Sequence, residues 1–273
     1  MLTARVAGFL LINPRAGESR PSAEELREEA ERLGVTTHVL ARDDDAVEVA
    51  RSAPDGPLGM AGGDGSLAPI AEVAVERDVP FVAVPFGTRN HFARDVGLDR
   101  EDPLGALAAF AGRERAIDVG RVNDRLFLNN VSLGVYARLV HRREHHRRRR
   151  AVFARLRALA LLARQPGALG LRVDGTPVSA RVLLVANNDY KLELLSLGER
   201  ERLDEGRLHL YAAEGVFPRT WEERTGERFT VDARGGWLRA AVDGEAERLE
   251  TPLEFRIEAR ALRVLVPAPR EGG

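Results

Sequence analysis

The chain has 273 residues, 44% of them hydrophobic and 30% charged, with a formal net charge of −1. That length can hold two modest domains with real cores, and the near-neutral balance offers no bulk attraction for nucleic acid. The lack of cysteine excludes thiol catalysis, thiolate metal sites and disulfides; no apolar run reaches transmembrane length and no signal peptide is visible, so a cytoplasmic protein with at most peripheral membrane contact is expected.

Residues 1–118 alternate strand and helix patterns. Strands are predicted at 5–12, 35–40, 57–61 and 80–84, and helices at 21–33, 44–52, 66–77, 89–95 and 102–111. That alternation predicts a doubly wound, Rossmann-like parallel α/β domain. Three of its strands run into loops of glycine and small polar residues. The first ends in Asn13-Pro14-Arg15-Ala16-Gly17, the second in Gly62-Gly63-Asp64-Gly65-Ser66, the third in Pro85-Phe86-Gly87-Thr88-Arg89-Asn90. Strand-to-loop transitions of this kind, at the carboxyl edge of a parallel sheet, are what a nucleotide site needs.

The second loop is the most informative. Three glycines in four positions allow a sharp turn and close backbone approach, and the amides with the following helix N-terminus form a phosphate cradle. Asp64 inside such a cradle would repel phosphates unless a cation lies between, which points to Mg²⁺. The plainer alternative is a Gly-rich βα turn with an N-capping Asp or Ser. Lys191 is the only lysine, and there is no GxxxxGK[ST] loop. A Walker-type nucleotidase and a protein-kinase-like site, which both place lysine on phosphates, are thereby excluded.

After Asp118 the pattern changes to strands separated by turns, at 119–122, 125–133, 171–174, 177–187, 206–213, 227–234, 236–242 and 253–258. Asp174-Gly175 and Asp243-Gly244 carry hairpin signals. This half reads as an antiparallel β-sandwich, interrupted by one helix around 136–164. The run 141–150, HRREHHRRRR, precedes an amphipathic stretch. It is either a solvated face or a patch for anionic lipid.

NPRAG, GGDGS and PFGTRN, in this order and spacing, resemble the diacylglycerol kinase catalytic-domain family of bacterial lipid kinases and sphingosine kinases. Ile117-Asp118-Val119-Gly120, FLNNVSLGVYA (127–137), VLLVANN (182–188), LDEGRLHL (203–210), Val242-Asp243-Gly244-Glu245 and ALRVLVP (261–267) extend the resemblance along nearly the whole chain. The resemblance implies an ATP-binding domain at 1–118, to which the final strand (about 261–267) returns, a lipid-substrate sandwich at 119–260, and a site in the cleft between them. It implies an ATP- and Mg²⁺-dependent lipid kinase. Asn13, Pro14, Gly17, Gly62, Gly63, Asp64, Gly65, Ser66, Thr88 and Asn90 would bind nucleotide. Asp64 would hold the Mg²⁺ network and Glu245 would act as base on the lipid hydroxyl; by itself DGE also reads as a solvated hairpin carboxylate. Glu205 with the carbonyls of Arg202 and Arg207 would hold a structural Mg²⁺. Two departures stand out: Glu205 replaces the family's aspartate, and the loop after Asn188 lacks the family's glycine cluster. An NAD kinase-like enzyme and an inactive nucleotide- or lipid-binding regulator are the alternatives. A lipid substrate, an anionic membrane surface and compatibility with a homodimer complete the expected partners, without nucleic acid.

Overall fold

Strands β3 (Leu58–Gly62) and β4 (Phe81–Pro85) are buried at every position, which is why their sequences are continuous apolar runs and do not alternate. A computed structural model describes residues 8–16, 21–87, 90–134, 170–190, 192–193, 196–197, 200–213 and 222–268. Gly17, Thr88, the helix expected at 136–164 and the basic run 141–150 lie outside the described residues. The chain divides into two compact units, residues 1–118 with 260–273, and residues 119–259.

In the first unit, β1 (Phe9–Ile12), β2 (Thr36–Val39), β3 and β4 form a parallel sheet in the order β2-β1-β3-β4. The end of β18 (Leu253–Val266) joins it parallel to β4, with Val264 opposite Phe81. The connecting helices are α1 (Ala23–Arg32), α2 (Ala46–Arg51), α3 (Asp64–Glu76), α4 (His91–Asp95) and α5 (Pro103–Ala106). Local chemistry sets their starts. Ser22 and Glu25 close a capping box on α1, and Asp45 and Asp102 cap α2 and α5. The doubly wound α/β architecture expected from the sequence is present.

The helix expected at 102–111 is instead α5 followed by a 3-10 turn, Leu107–Ala111. The tighter turn lays Phe110 across two strand backbones. A Cβ on Gly8 would come within 2.6 Å of the Phe110 ring, and one on Gly59 within 2.6 Å of it as well. Both glycines are therefore seats for a ring.

The second unit is antiparallel. Its larger sheet runs β14-β13-β10-β7-β16-β17, formed by β7 (Asn130–Gly134), β10 (Val182–Asn187), β13 (Leu208–Ala213), β14 (Glu222–Gly226), β16 (Trp237–Val242) and β17 (Glu245–Glu250). The facing layer holds β6 (Arg125–Phe127), β8 (Leu171–Val173), β9 (Thr176–Val178), β15 (Arg228–Ala233), the end of β5 (Arg113–Val122) and the start of β18. A short hairpin pairs β11 (Leu192–Glu193) with β12 (Ser196–Leu197). Val131, Leu133, Val185, Leu210 and Val242 from one layer share a core with Phe127, Val173, Phe229 and Phe255 from the other. This is the antiparallel sandwich read from the sequence. Gly120 lies opposite Phe127, whose ring would be 2.2 Å from an added Cβ.

Several boundaries differ from expectation. The strand expected at 125–133 is two, β6 and β7, and that expected at 177–187 is β9 and β10. The strands expected at 253–258 and about 261–267 are one, β18. Helix α3 begins at Asp64, so Asp64, Gly65 and Ser66 form its first turn.

The packing of Phe110 is directly testable. Gly59→Ala should lower stability in urea unfolding by about 1–3 kcal/mol, the usual cost of overpacking. The loss should shrink in a Phe110→Leu background. An equal loss in both backgrounds would show that the ring is not the cause.

Candidate functional site

The first set of site residues lies at the carboxyl ends of β1, β3 and β4. Asn13 leaves β1 with its N–H donating to the Ala61 carbonyl at 3.0 Å, and its Oδ1 accepts from the Arg15 N–H at 3.1 Å. That Asx turn carries the chain through exposed Pro14. Next to it, Gly63 is the N-cap of α3 and has no side-chain cap. Ser66 Oγ folds back and donates to the Gly63 carbonyl at 2.8 Å. A Cβ on Gly62 would meet that hydroxyl at 2.1 Å.

The third loop stacks on the second. A Cβ on Gly87 would fall 2.6 Å from Gly63 Cα and 2.8 Å from Gly63 N. The Phe86 N–H also donates to the Gly62 carbonyl at 3.2 Å. Asn90 is buried, and its Nδ2 donates to the Gly87 carbonyl at 2.8 Å. Its Oδ1 is buried with no hydrogen-bond partner among the described residues. The structure thus brings Gly62, Gly63, Ser66, Gly87 and Asn90 into one backbone-lined corner.

Asp64 has a role that its motif alone did not suggest. It is buried, and its two oxygens accept the N–H groups of His91 and Phe92, each at 3.1 Å. A residue of the second loop therefore caps α4, the helix that follows the third, and a carboxylate at a helix N-terminus is favoured electrostatically.

The second set lies in the other unit. Asp243 and Gly244, both with positive φ, connect β16 to β17. Val242 pairs with Glu245, which is the two-residue hairpin that Asp-Gly predicts. Glu245 is exposed. Asp243 is buried, and its carboxylate accepts the N–H groups of Leu128 (2.7 Å), Asn129 (2.8 Å) and Asn130 (3.1 Å). Arg200, also buried, grips the same segment by its acceptors. It donates to the Leu128 carbonyl at 2.7 Å and to Asn129 Oδ1 at 2.9 Å, and it reaches the Asn187 carbonyl at 3.1 Å. These two clamps separate β6 from β7. Arg200 stands in the charged run GERER and gave no sequence signal of burial.

A third group surrounds His209. Leu208, Leu210 and Ala212 of β13 face the sandwich core, so His209 and Tyr211 share the opposite face. Glu205 Oε2 pairs with His209 Nε2 at 3.1 Å and accepts the Asp189 N–H at 3.2 Å. Asn188 fixes the loop, accepting the Glu205 N–H through Oδ1 and donating its own N–H to the Arg207 carbonyl, both at 3.1 Å. Arg202 lies 3.7 Å from Asp204. Tyr211 donates to Asp189 Oδ1 at 2.6 Å. Burial first, and then this bond, push its phenol up, so it stays a donor.

Residues 7–122 match the family model of the diacylglycerol kinase catalytic domain. A protein of Pseudomonas aeruginosa named probable lipid kinase YegS-like is 38% identical over 133 residues, covering 46% of this chain and 43% of that protein. The diacylglycerol kinase of Bacillus subtilis is 28% identical over 142 residues, covering 48% and 47%. The chain thus spans less than half the length of these curated relatives. A solved structure of a putative diacylglycerol kinase from Bacillus anthracis superposes with a TM-score of 0.70 over 95% of this chain and 96% of that one, at 16% identity, so it shares the fold.

Because both oxygens of Asp64 accept N–H groups, Asp64→Asn is not a neutral exchange. Its amide NH₂ must face one of those donors. Urea unfolding should show a loss of roughly 1–3 kcal/mol, the cost of a buried group left unsatisfied. Unchanged stability would mean that the cap on α4 carries no weight.

Proposed function

Residues 7–122 match the diacylglycerol kinase catalytic-domain family model, and on that premise we propose that the chain is a member of that family and an ATP- and Mg²⁺-dependent lipid kinase acting on a hydroxyl of diacylglycerol or a related lipid. The observation that carries this reading is the stacking of two glycine loops, with Gly87 so close to Gly63 that a Cβ would fall 2.6 Å from its Cα. The two loops can approach this closely only with glycine at 87, and neither glycine carries a side chain that a phosphate would have to displace. The α3 N-terminus beside it has no side-chain cap and favours an anion. The buried Asn90 Oδ1, which has no hydrogen-bond partner among the described residues, adds an acceptor that suits a hydrated cation. These features fit a triphosphate accompanied by Mg²⁺.

In this reading Asn13, Pro14, Gly62, Gly63, Gly65, Ser66 and Asn90, with Gly17 and Thr88, hold the nucleotide. Asp64, fixed by the His91 and Phe92 amides, would hold the Mg²⁺ network, and the ion when bound would supply charge neutralisation for the transferring phosphoryl group. The lipid hydroxyl oxygen forms the new bond to the terminal phosphorus as the bond to the ADP oxygen breaks, and Glu245 takes the hydroxyl proton. Support for Glu245 is its position after a hairpin anchored through Asp243, with a carboxylate that makes no hydrogen bond among the described residues. Glu205 and the carbonyls of Arg202 and Arg207 would hold a structural Mg²⁺, an assignment that rests on the resemblance.

Among the described residues no helix is long and apolar enough to cross a membrane. The 141–150 run would bring the protein to an anionic bilayer, each arginine near the surface contributing about 1 kcal/mol.

The test is transfer of labelled phosphate from ATP onto a total lipid extract, followed by identification of the product. Glu245→Gln should keep ATP binding and lose on the order of 10²–10⁴ in turnover, the usual weight of a general base. A Gln variant that turns over near the parent rate would make Glu245 a hairpin residue only. A parent protein that labels no lipid would overturn the kinase reading.

A further inference from the structure

We propose that Asp189, His209 and Glu223 form a binding site for a divalent d-block cation of the Zn²⁺ class, separate from any Mg²⁺ held by the 202–207 loop. The three residues come from the turn after β10, from β13 and from β14. One ligand atom from each lies within 4.8 Å of the others. His209 Nδ1 is 2.9 Å from Glu223 Oε1 and 3.8 Å from Asp189 Oδ1. Ligands about 2.0–2.2 Å from a tetrahedral Zn²⁺ stand roughly 3.3 Å apart, so these spacings bracket what the ion needs.

The surroundings prepare the ligands. Glu205 Oε2 lies 3.1 Å from His209 Nε2. With its proton on Nε2, toward that carboxylate, the imidazole would offer the Nδ1 lone pair to a cation between Glu223 and Asp189, and metal-binding histidines are oriented by such a carboxylate on the second nitrogen. The Tyr211 hydroxyl orients Asp189 in the same way, through a 2.6 Å bond to Oδ1. The Tyr211 ring stacks near the imidazole, with centroids 6.1 Å apart and 23° between planes, which limits ring rotation.

Charge points the same way. Three carboxylates surround one imidazole, and among the described residues no arginine pairs with Asp189, Glu205 or Glu223. His209 Nδ1 is within hydrogen-bond distance of Glu223 Oε1, at 2.9 Å. A cation bound by both atoms would take the place of the proton in that hydrogen bond. Imidazole with carboxylates suits Zn²⁺ better than Mg²⁺, which prefers oxygen ligands and retains water. The side chains of Asp189 and Glu223 are 57% and 47% exposed, so the ion has a path from solvent, while His209 at 10% is held inside. Three protein ligands leave one position for water. The bound ion would staple edge strand β14 to the turn after β10.

The test reads metal binding without turnover, so it stands apart from the kinase reading. Full-length protein stripped with EDTA is titrated with Zn²⁺ by calorimetry, in parallel with variants. His209→Gln should bind one equivalent fewer than the parent, a difference that is unaffected by the histidines at 141, 145 and 146. Glu223→Gln, on an exposed edge where folding is not at risk, should weaken that equivalent by roughly tenfold or more, and Glu205→Gln by roughly 10–100-fold through lost orientation. Millimolar Mg²⁺ should not displace the Zn²⁺. The proposal fails if the parent binds no Zn²⁺ at about 100 μM, if His209→Gln keeps the parent's stoichiometry, if Glu223→Gln keeps the parent's affinity, or if Mg²⁺ competes on equal terms.

Discussion

The candidate base hangs on one carboxylate. Asp243 accepts three successive backbone amides, those of Leu128, Asn129 and Asn130. Bonds to an ionised acceptor are roughly twice as strong as neutral ones, and Asp243 is also the first residue of the turn that leads to Glu245. The turn is thus anchored to a segment more than a hundred residues away in sequence. Arg200 binds the carbonyl side of that segment, so donors and acceptors are both satisfied and a buried irregular stretch becomes tolerable. A shift of Asp243 would move Glu245 with it.

The same device recurs. Asp64 caps α4 from another loop, the Asp118 carboxylate accepts the Arg260 N–H at 2.8 Å, and Asp174 accepts the Thr230 N–H at 2.8 Å. Each is an acidic residue whose partner is backbone, remote in sequence. Asp64, which reads as ligand-binding, therefore has a prior duty in holding loops in register. This also explains why a motif can be recognised by pattern while its mechanics are not. Acidic groups at the end of a strand look alike in sequence whether they face a cation or an amide.

Much of the fold was legible because burial wrote it into the chain. The continuous apolar runs of β3 and β4 gave the parallel sheet, and Asp243-Gly244 gave its hairpin. Of the two edge strands of the larger sandwich sheet, β14 was not anticipated, and β17 was signalled only by the Asp243-Gly244 turn that leads into it. Their sequences, EERTG and EAERLE, are charged and largely exposed; they are strands because a neighbour's ladder holds them, and no periodicity records that. The division of 125–133 into β6 and β7 was hidden for a related reason, since it depends on Asp243 and Arg200. At the site, the glycine loops were readable one by one, but the contact between Gly63 and Gly87 was not. His209, Tyr211 and Asp189 passed unnoticed, because a polar face on a strand is the ordinary appearance of a surface.

β18 has a consequence for how the chain is made. Its final residues pair with β4 in the first unit, whose other strands are all translated before the second unit begins. A ribosome therefore emits β1 to β4 with the far edge of β4 bare, and that edge stays open while residues 119–259 are synthesised. An unpaired apolar edge is a template for the wrong strand. The nascent first unit must wait, partly finished, for a strand that arrives only after the sandwich has been built, which makes the order of synthesis a hazard that the fold itself imposes.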